Sequence, residues 1–251
     1  MEEKAHAKLG ASTSEIWLNC AGAPNLWEKA PPQKESAYAH EGTAAHDLLE
    51  KWARHIRDKS GAFIFPKTSS PGMREAVRVC IDDLKTSWTP KAKKDLVIEK
   101  KVSLSEFVAP DMFGTVDLGV VQHFGTLEVT DYKHGSGVKV DIYKESASGS
   151  RLLNTQLVYY ALGLAYEYHW NFRDVILKIV QPRFDKDAPI KSVRVTMDEL
   201  YLYVDLFKRG VERTMRRDAR RTAGPWCRFC KAKTICKEGQ GGYRTDSRGD
   251  F

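Results

Sequence analysis

Hydrophobic positions along this chain recur with two different periods. Ala45, Leu48, Leu49, Trp52 and Ile56 are spaced by three and four residues, which predicts a helix from Tyr38 or Thr43 to Arg57. The same spacing in Ala76, Val77, Cys80, Ile81 and Leu84 predicts a helix from Met73 to Trp88. Leu153, Leu157, Tyr160, Ala161 and Leu164 predict a strong helix over 151–169, and a last helix begins near Met197 and runs to Arg217. A short helix over 12–22 carries Ile16, Trp17 and Cys20; Ser12-x-x-Glu15 opens it as a capping box, and Ala21-Gly22-Ala23-Pro24 closes it. Strand-like, β-branched runs occupy Asp95–Val102, Thr115–Val121, Thr126–Thr130, Asp174–Val180 and a shorter Lys191–Val195. Residues 28–37 and 60–71 read as loops, and 103–112 as a connection between strands. Residues 134–150, rich in Gly, Ser and Lys, read as an exposed loop. The expected fold is α/β, a mixed central sheet flanked by helices.

Two of the strand runs sit either side of His123, Phe124 and Gly125, which is a hairpin signal. If the turn centres on Phe124, Asp117 and Asp131 lie opposite each other. Cross-strand neighbours hold their Cβ atoms roughly 4.5–5.5 Å apart. Lys133 is two residues past Asp131, so both leave the same face of the strand. Val129 shares that face, which is therefore partly buried. Facing carboxylates in such a place are costly without a cation. Two acids and a lysine so arranged suit a divalent metal, Mg²⁺ or Mn²⁺, with the lysine aimed at the reacting group. Such a metal binds a phosphate oxygen and acidifies a water for attack on phosphorus. A salt-bridged, charged hairpin face is the plainer alternative.

Composition narrows the class. The 251 residues suffice for one large core, read as a single domain over 1–240 with a flexible tail at 241–251. A 42% hydrophobic and 29% charged composition is that of a soluble globular protein. No apolar run is long enough to span a membrane, and MEEKAHAKLG lacks the form of a signal sequence, so a cytoplasmic protein is expected. A net charge of +7 and a pI near 9.1 favour an anionic partner, with nucleic acid the commonest; an ordinary basic surface is the alternative. Arg209, Arg213, Arg216, Arg217, Arg220 and Arg221 crowd the end of the last helix, as candidates for phosphate contact or as a solvated face. No Gly-x-x-x-x-Gly-Lys-Ser/Thr loop is present, so the chain has no helicase motor of its own.

The five cysteines are Cys20, Cys80, Cys227, Cys230 and Cys236. Their odd number argues against a disulfide framework, and three cluster as Cys-x2-Cys-x5-Cys. Cys80 lies on an apolar helical stripe and reads as a buried free thiol. Cys20 is then the best fourth ligand to Cys227, Cys230 and Cys236, and such a site would staple the two ends together. Zinc and a [4Fe–4S] cluster both accept four thiolates, and spacing does not choose between them.

In order, Gly114-Thr115-Val116-Asp117 and Thr130-Asp131-Tyr132-Lys133 resemble the PD-(D/E)XK nuclease superfamily, and within it the RecB-type branch. His46 in GTAAHDLLE matches that branch's upstream histidine, and Gln156 and Tyr160 match its Gln-x-x-x-Tyr motif. Cys20 with the late Cys-x2-Cys-x5-Cys group matches members that carry an iron–sulfur staple. The resemblance spans residues 20 to 236; Thr130 stands where the family signature has proline. It implies metal ligation by His46, Asp117, Asp131 and the backbone carbonyl of Tyr132, with Lys133 as catalytic lysine. It implies that Gln156 and Tyr160 position DNA or brace the site. It favours a [4Fe–4S] cluster over zinc on the four cysteines. Glu99, on the first strand, reads as a surface charge rather than an auxiliary acid.

The chain also resembles compact stand-alone exonucleases that phages encode for recombination, and the nuclease of CRISPR adaptation. The phage resemblance implies a DNA exonuclease in the host cytoplasm, a single-strand annealing protein as partner, and a homo-oligomer as one assembly. Two other classes compete with this. A non-catalytic DNA-binding module on a nuclease fold would not need His46, Asp117, Asp131 and Lys133 all intact. A zinc-stapled interaction protein would explain the cysteines but not the facing carboxylates.

Overall fold

The computed structural model describes residues 7–32, 36–59, 61–122 and 125–241. His123 and Phe124 at the expected turn, and 242–251 of the expected tail, lie outside the described residues.

A five-stranded mixed sheet forms the centre. Its strands are β1 (Leu96–Ser103), β2 (Phe113–Gln122), β3 (Thr126–Tyr132), β6 (Asp174–Val180) and β7 (Ile190–Thr196), in the order β1-β2-β3-β6-β7. All neighbours are antiparallel except β3 and β6, which are parallel. Helix α5 (Thr155–Glu167) lies in the crossover between those two, as a parallel pair requires. Short antiparallel strands β4 (Tyr143–Glu145) and β5 (Arg151–Leu153) precede α5.

Helices cover both faces. On one, α5, α6 (Met197–Met215) and α1 (Ser14–Asn19) pack Trp17, Leu157, Leu162 and Phe207 onto Val97, Leu127, Val129, Leu177 and Ile179. On the other, α3 (Ala37–Asp58) and α4 (Pro71–Ser87) pack Leu48, Leu49, Val77, Cys80 and Ile81 onto Ile98, Leu118, Val120 and Tyr132. The predicted stripes of both helices are the faces buried here. Cys80 is buried and free, as expected. No described helix is long and apolar enough to cross a membrane.

Several local expectations are corrected. The strong helix begins at Thr155, not 151, because residues 151–153 pair with β4 and Asn154 caps the helix, accepting from the amides of Gln156 and Leu157. The stretch after Lys133 is therefore not all loop. The Ser12 capping box does not form: residues 11–13 make a 3₁₀ turn, and α1 starts at Ser14 without a side-chain cap. Ser14 instead hydrogen-bonds Thr155 at 2.8 Å, tying α1 to α5. Ala23 and Pro24 open a further helix, α2 (Ala23–Trp27), rather than only ending α1. A capping box does occur at Thr196 and Glu199, where it starts α6.

Candidate active site

The β2–β3 pairing runs from Gln122↔Thr126 to Leu118↔Thr130. One step further in this register stand Asp117 and Asp131, as the hairpin argument expects. There the two strands part. The Asp117 side chain fills the fork, and its Oδ2 accepts the Tyr132 amide at 2.8 Å. On the other side of β2, Ile98↔Leu118 and Lys100↔Val116 bracket one more position, where Glu99 faces Asp117. Glu99 has φ 46°, in the left-handed region that side chains other than glycine adopt rarely. The usual face alternation inverts across it. Ile98 and Leu118 pack toward α3 and α4, whereas Val102 and Val116, an even number of positions away, pack toward α5. This kink turns two acids toward one point.

His46 reaches that point from α3. Its Nδ1 lies 3.2 Å from Asp117 Oδ1, and its ring meets the edge of Tyr132 at 5.5 Å between centroids. Among the described residues, His46, Glu99 and Asp117 are the group of three His, Cys, Asp or Glu side chains whose ligand atoms all fall within 4.8 Å of one another. Glu99, read from sequence as a surface charge, thus belongs to this group.

Asp131 is almost fully buried, on the α5 side of the fork. Lys133 Nζ donates to its Oδ1 at 3.0 Å and lies 2.8 Å from its Oδ2. That Oδ2 is buried, and the Lys133 ammonium is its ion-pair partner. Lys133 Nζ also donates to Gln156 Oε1 at 3.1 Å, and Gln156 Nε2 donates to the Tyr160 hydroxyl at 2.8 Å. The Asn154 cap and the first turn of α5 fix Gln156, so the lysine is held from two sides. Electrostatics follow from this packing. Burial works to lower the His46 pKa, but the Asp117 carboxylate outweighs it and the result is raised. Burial works to raise Asp117, but His46, Lys133 and the Tyr132 amide bring it below the usual range. For Asp131, burial and the neighbouring Asp117 charge prevail over Lys133, and its pKa is raised.

A second line of contacts anchors α3. The Tyr132 hydroxyl hydrogen-bonds His134 Nδ1 at 2.8 Å; Glu41 Oε1 lies 3.7 Å from His134 Nε2, and its Oε2 pairs with Arg183 at 2.9 Å. None of these contacts is visible in the sequence. Spacing does not signal them, because Glu41 and Arg183 meet only through the tertiary fold.

The ends of the chain meet elsewhere. Cys20, Cys227, Cys230 and Cys236 line one small pocket, with Trp226 and Ile16 beside them. The Thr222 amide donates to Cys20 Sγ at 3.3 Å and the Trp27 indole to Cys230 Sγ at 3.4 Å. Gly22 N donates to Arg220 O at 2.9 Å, joining the two segments. Burial and the other three thiols raise the Cys20 pKa, against the Thr222 amide. Part of the arginine cluster is engaged in the fold: Arg213 donates to Leu18 O at 2.8 Å, and Arg221 pairs with Glu238 at 3.1 Å. Both side chains are exposed and keep donors that these contacts do not use.

A family profile described as "Protein of unknown function (DUF2800)" matches residues 6–246. The chain belongs to the DUF2800 family. Among solved structures, the DUF2800 chain is similar in fold to a "Putative exonuclease" from Eubacterium rectale. The TM-score is 0.52 at 9% identity, covering 100% of this chain and 96% of that one. At that identity the likeness is one of fold. SSO0001 aligns over 90% of this chain and 96% of its own at 15% identity, but with a TM-score of 0.35.

Proposed function

We propose that this DUF2800 chain is a metal-dependent deoxyribonuclease of PD-(D/E)XK type, on the RecB-type branch, acting as an exonuclease in phage DNA processing. The observation that carries the reading is the fork between β2 and β3. It gathers His46, Asp117 and Glu99 on one side and Asp131 with Lys133 on the other. Imidazole and carboxylate oxygens suit Mg²⁺ or Mn²⁺, and the His46, Glu99 and Asp117 ligand atoms lie within 4.8 Å of one another, close enough to share one cation. His46, Asp117, Asp131 and the Tyr132 carbonyl would hold the metal, with Glu99 as a further carboxylate. A bound metal supplies polarisation of the phosphate and a water of lowered pKa.

The chain's own groups supply the rest. Lys133 places a positive charge where negative charge grows on the phosphate, and a half-buried ammonium held by Asp131 and Gln156 does this without reorganising. Gln156 fixes the direction of Nζ, and Tyr160 fixes Gln156. The four cysteines would hold a [4Fe–4S] cluster. Tetrahedral zinc is the other centre that four thiolates would accept. The reading is tested by Mn²⁺-dependent digestion of end-labelled DNA with Asp131→Asn and Lys133→Ala. Both are expected to lose activity; full activity in either would remove the assignment.

A further inference from the structure

A cavity of about 340 Å³ opens beside the fork. Its walls are the turn at Gly10–Thr13, the start of β2 at Phe113–Thr115, Tyr160 of α5, and Lys231 from the cysteine-bearing segment. Resting on the nuclease reading above, we propose that this cavity seats one unpaired nucleotide next to the phosphate being cleaved. The enzyme then takes its substrate as a single strand at the point of cutting.

The position argues for this first. Tyr160 lines the cavity and, through Gln156, leads to Lys133 and Asp131 in a continuous chain of hydrogen bonds. Thr115 lines it from two positions before Asp117 on β2, roughly 7 Å along the strand at about 3.3 Å per residue. A ligand here lies beside the metal ligands without displacing them.

The shape is next. The cavity is at the small end of the range for ligand sites, ~300–1,000 Å³, which fits one nucleotide and not a stacked base pair. It is preformed. The turn is held by Thr13 Oγ1 and the Trp17 indole, both donating to Gly10 O. Gly114 keeps the wall thin, since a Cβ there would stand 2.9 Å from Ala11 Cβ and 3.0 Å from the Tyr160 ring.

The chemistry of the walls matches as well. Ala11 and the Phe113 and Tyr160 rings offer apolar surface for a base. Lys101 lies over the Phe113 ring at 4.0 Å, adding charge beside it. The Ser12, Thr13 and Thr115 hydroxyls and the exposed Lys231 ammonium offer partners for sugar and phosphate. An aromatic surface with flanking cations is how proteins hold single strands without reading their sequence.

Binding tests this. A fluorescein-labelled 15-nucleotide single strand and a blunt hairpin duplex are titrated by anisotropy, without added divalent metal. The probes are the wild-type chain, Lys231→Glu, and Ser12→Trp, which fills the cavity without changing charge. Both positions are exposed, and unchanged thermal melting confirms folding. Wild type is expected to bind the single strand at least tenfold tighter than the duplex, and each variant to lose at least tenfold on the single strand. Equal binding of strand and duplex by wild type would overturn the proposal. So would a loss in Lys231→Glu with none in Ser12→Trp, since general charge then explains the binding. Wild-type cleavage is measured separately with Mn²⁺. Binding through the cavity without cleavage would sink the nuclease reading and leave the subsite; cleavage with both variants binding as wild type would do the reverse.

Discussion

Replacing Lys178 by methionine isolates the most strongly buried charge network of the sheet. Lys178 sits on β6, 6% exposed. Its Nζ donates to Asp83 Oδ2 of α4 at 2.7 Å and to Glu128 Oε1 of β3 at 2.8 Å. Ser87 and Gln122 also donate to Glu128. Methionine keeps the volume and removes the charge, leaving two carboxylates buried without a cation. Breaking a buried pair in this way costs about 3–5 kcal/mol. At about 2–4 °C per kcal/mol for a chain of this size, the midpoint should fall by roughly 6–20 °C. Urea unfolding followed by tryptophan fluorescence measures it. Neutralising the partners as well, with Glu128→Gln and Asp83→Asn, should recover most of the loss. The pH dependence has a definite sign. Burial works to lower the Lys178 pKa, but the two carboxylates outweigh it and the folded value is raised. Its contribution is therefore complete below the unfolded lysine value, about 10.4, and fades as pH rises through the folded one. A loss under about 1 kcal/mol at pH 7, or no recovery in the triple variant, would refute the reasoning.

Three further outcomes are expected. Glu99→Gln should weaken Mn²⁺ binding at least about tenfold by calorimetry, because one carboxylate leaves a hard-cation site; unchanged affinity would return Glu99 to a mere strained surface acid. Gly163→Ala should cost about 1–3 kcal/mol in thermal unfolding, because its Cβ would stand 2.7 Å from Val102 Cβ in the core between α5 and β1. Cys20→Ser, purified without oxygen, should lose the brown colour and absorbance near ~400 nm expected of the wild type; a colourless wild type with bound zinc would overturn the cluster assignment.

The hairpin was legible because only residues 123–125 separate the two strands in sequence. A centre at Phe124 pairs 118 with 130, and that is the observed register. The apolar stripes of α3 and α4 were legible because helical period and burial coincide there. Glu99 was not, because nine residues, 104–112, separate β1 from β2 and a connection of that length sets no register. Its role depends on a left-handed backbone that no pattern announces. The start of α5 was misplaced because Leu153 continues the helical spacing while its backbone pairs with Tyr143 in β4. The contacts of Arg213 with Leu18 O and of Arg221 with Glu238 were not legible, because the fold brings those partners from distant parts of the chain.

Digestion of an end-labelled single-stranded oligonucleotide with Mn²⁺, comparing wild type with Lys133→Ala, tests the central claim most directly. Lys133 is partly exposed and its removal leaves the α5 cap and the fork intact, so the variant should fold. The account predicts mononucleotide release by wild type and a fall in rate of at least about a hundredfold in the variant. Wild-type-like digestion by Lys133→Ala, or no metal-dependent cleavage by the wild type, would contradict it.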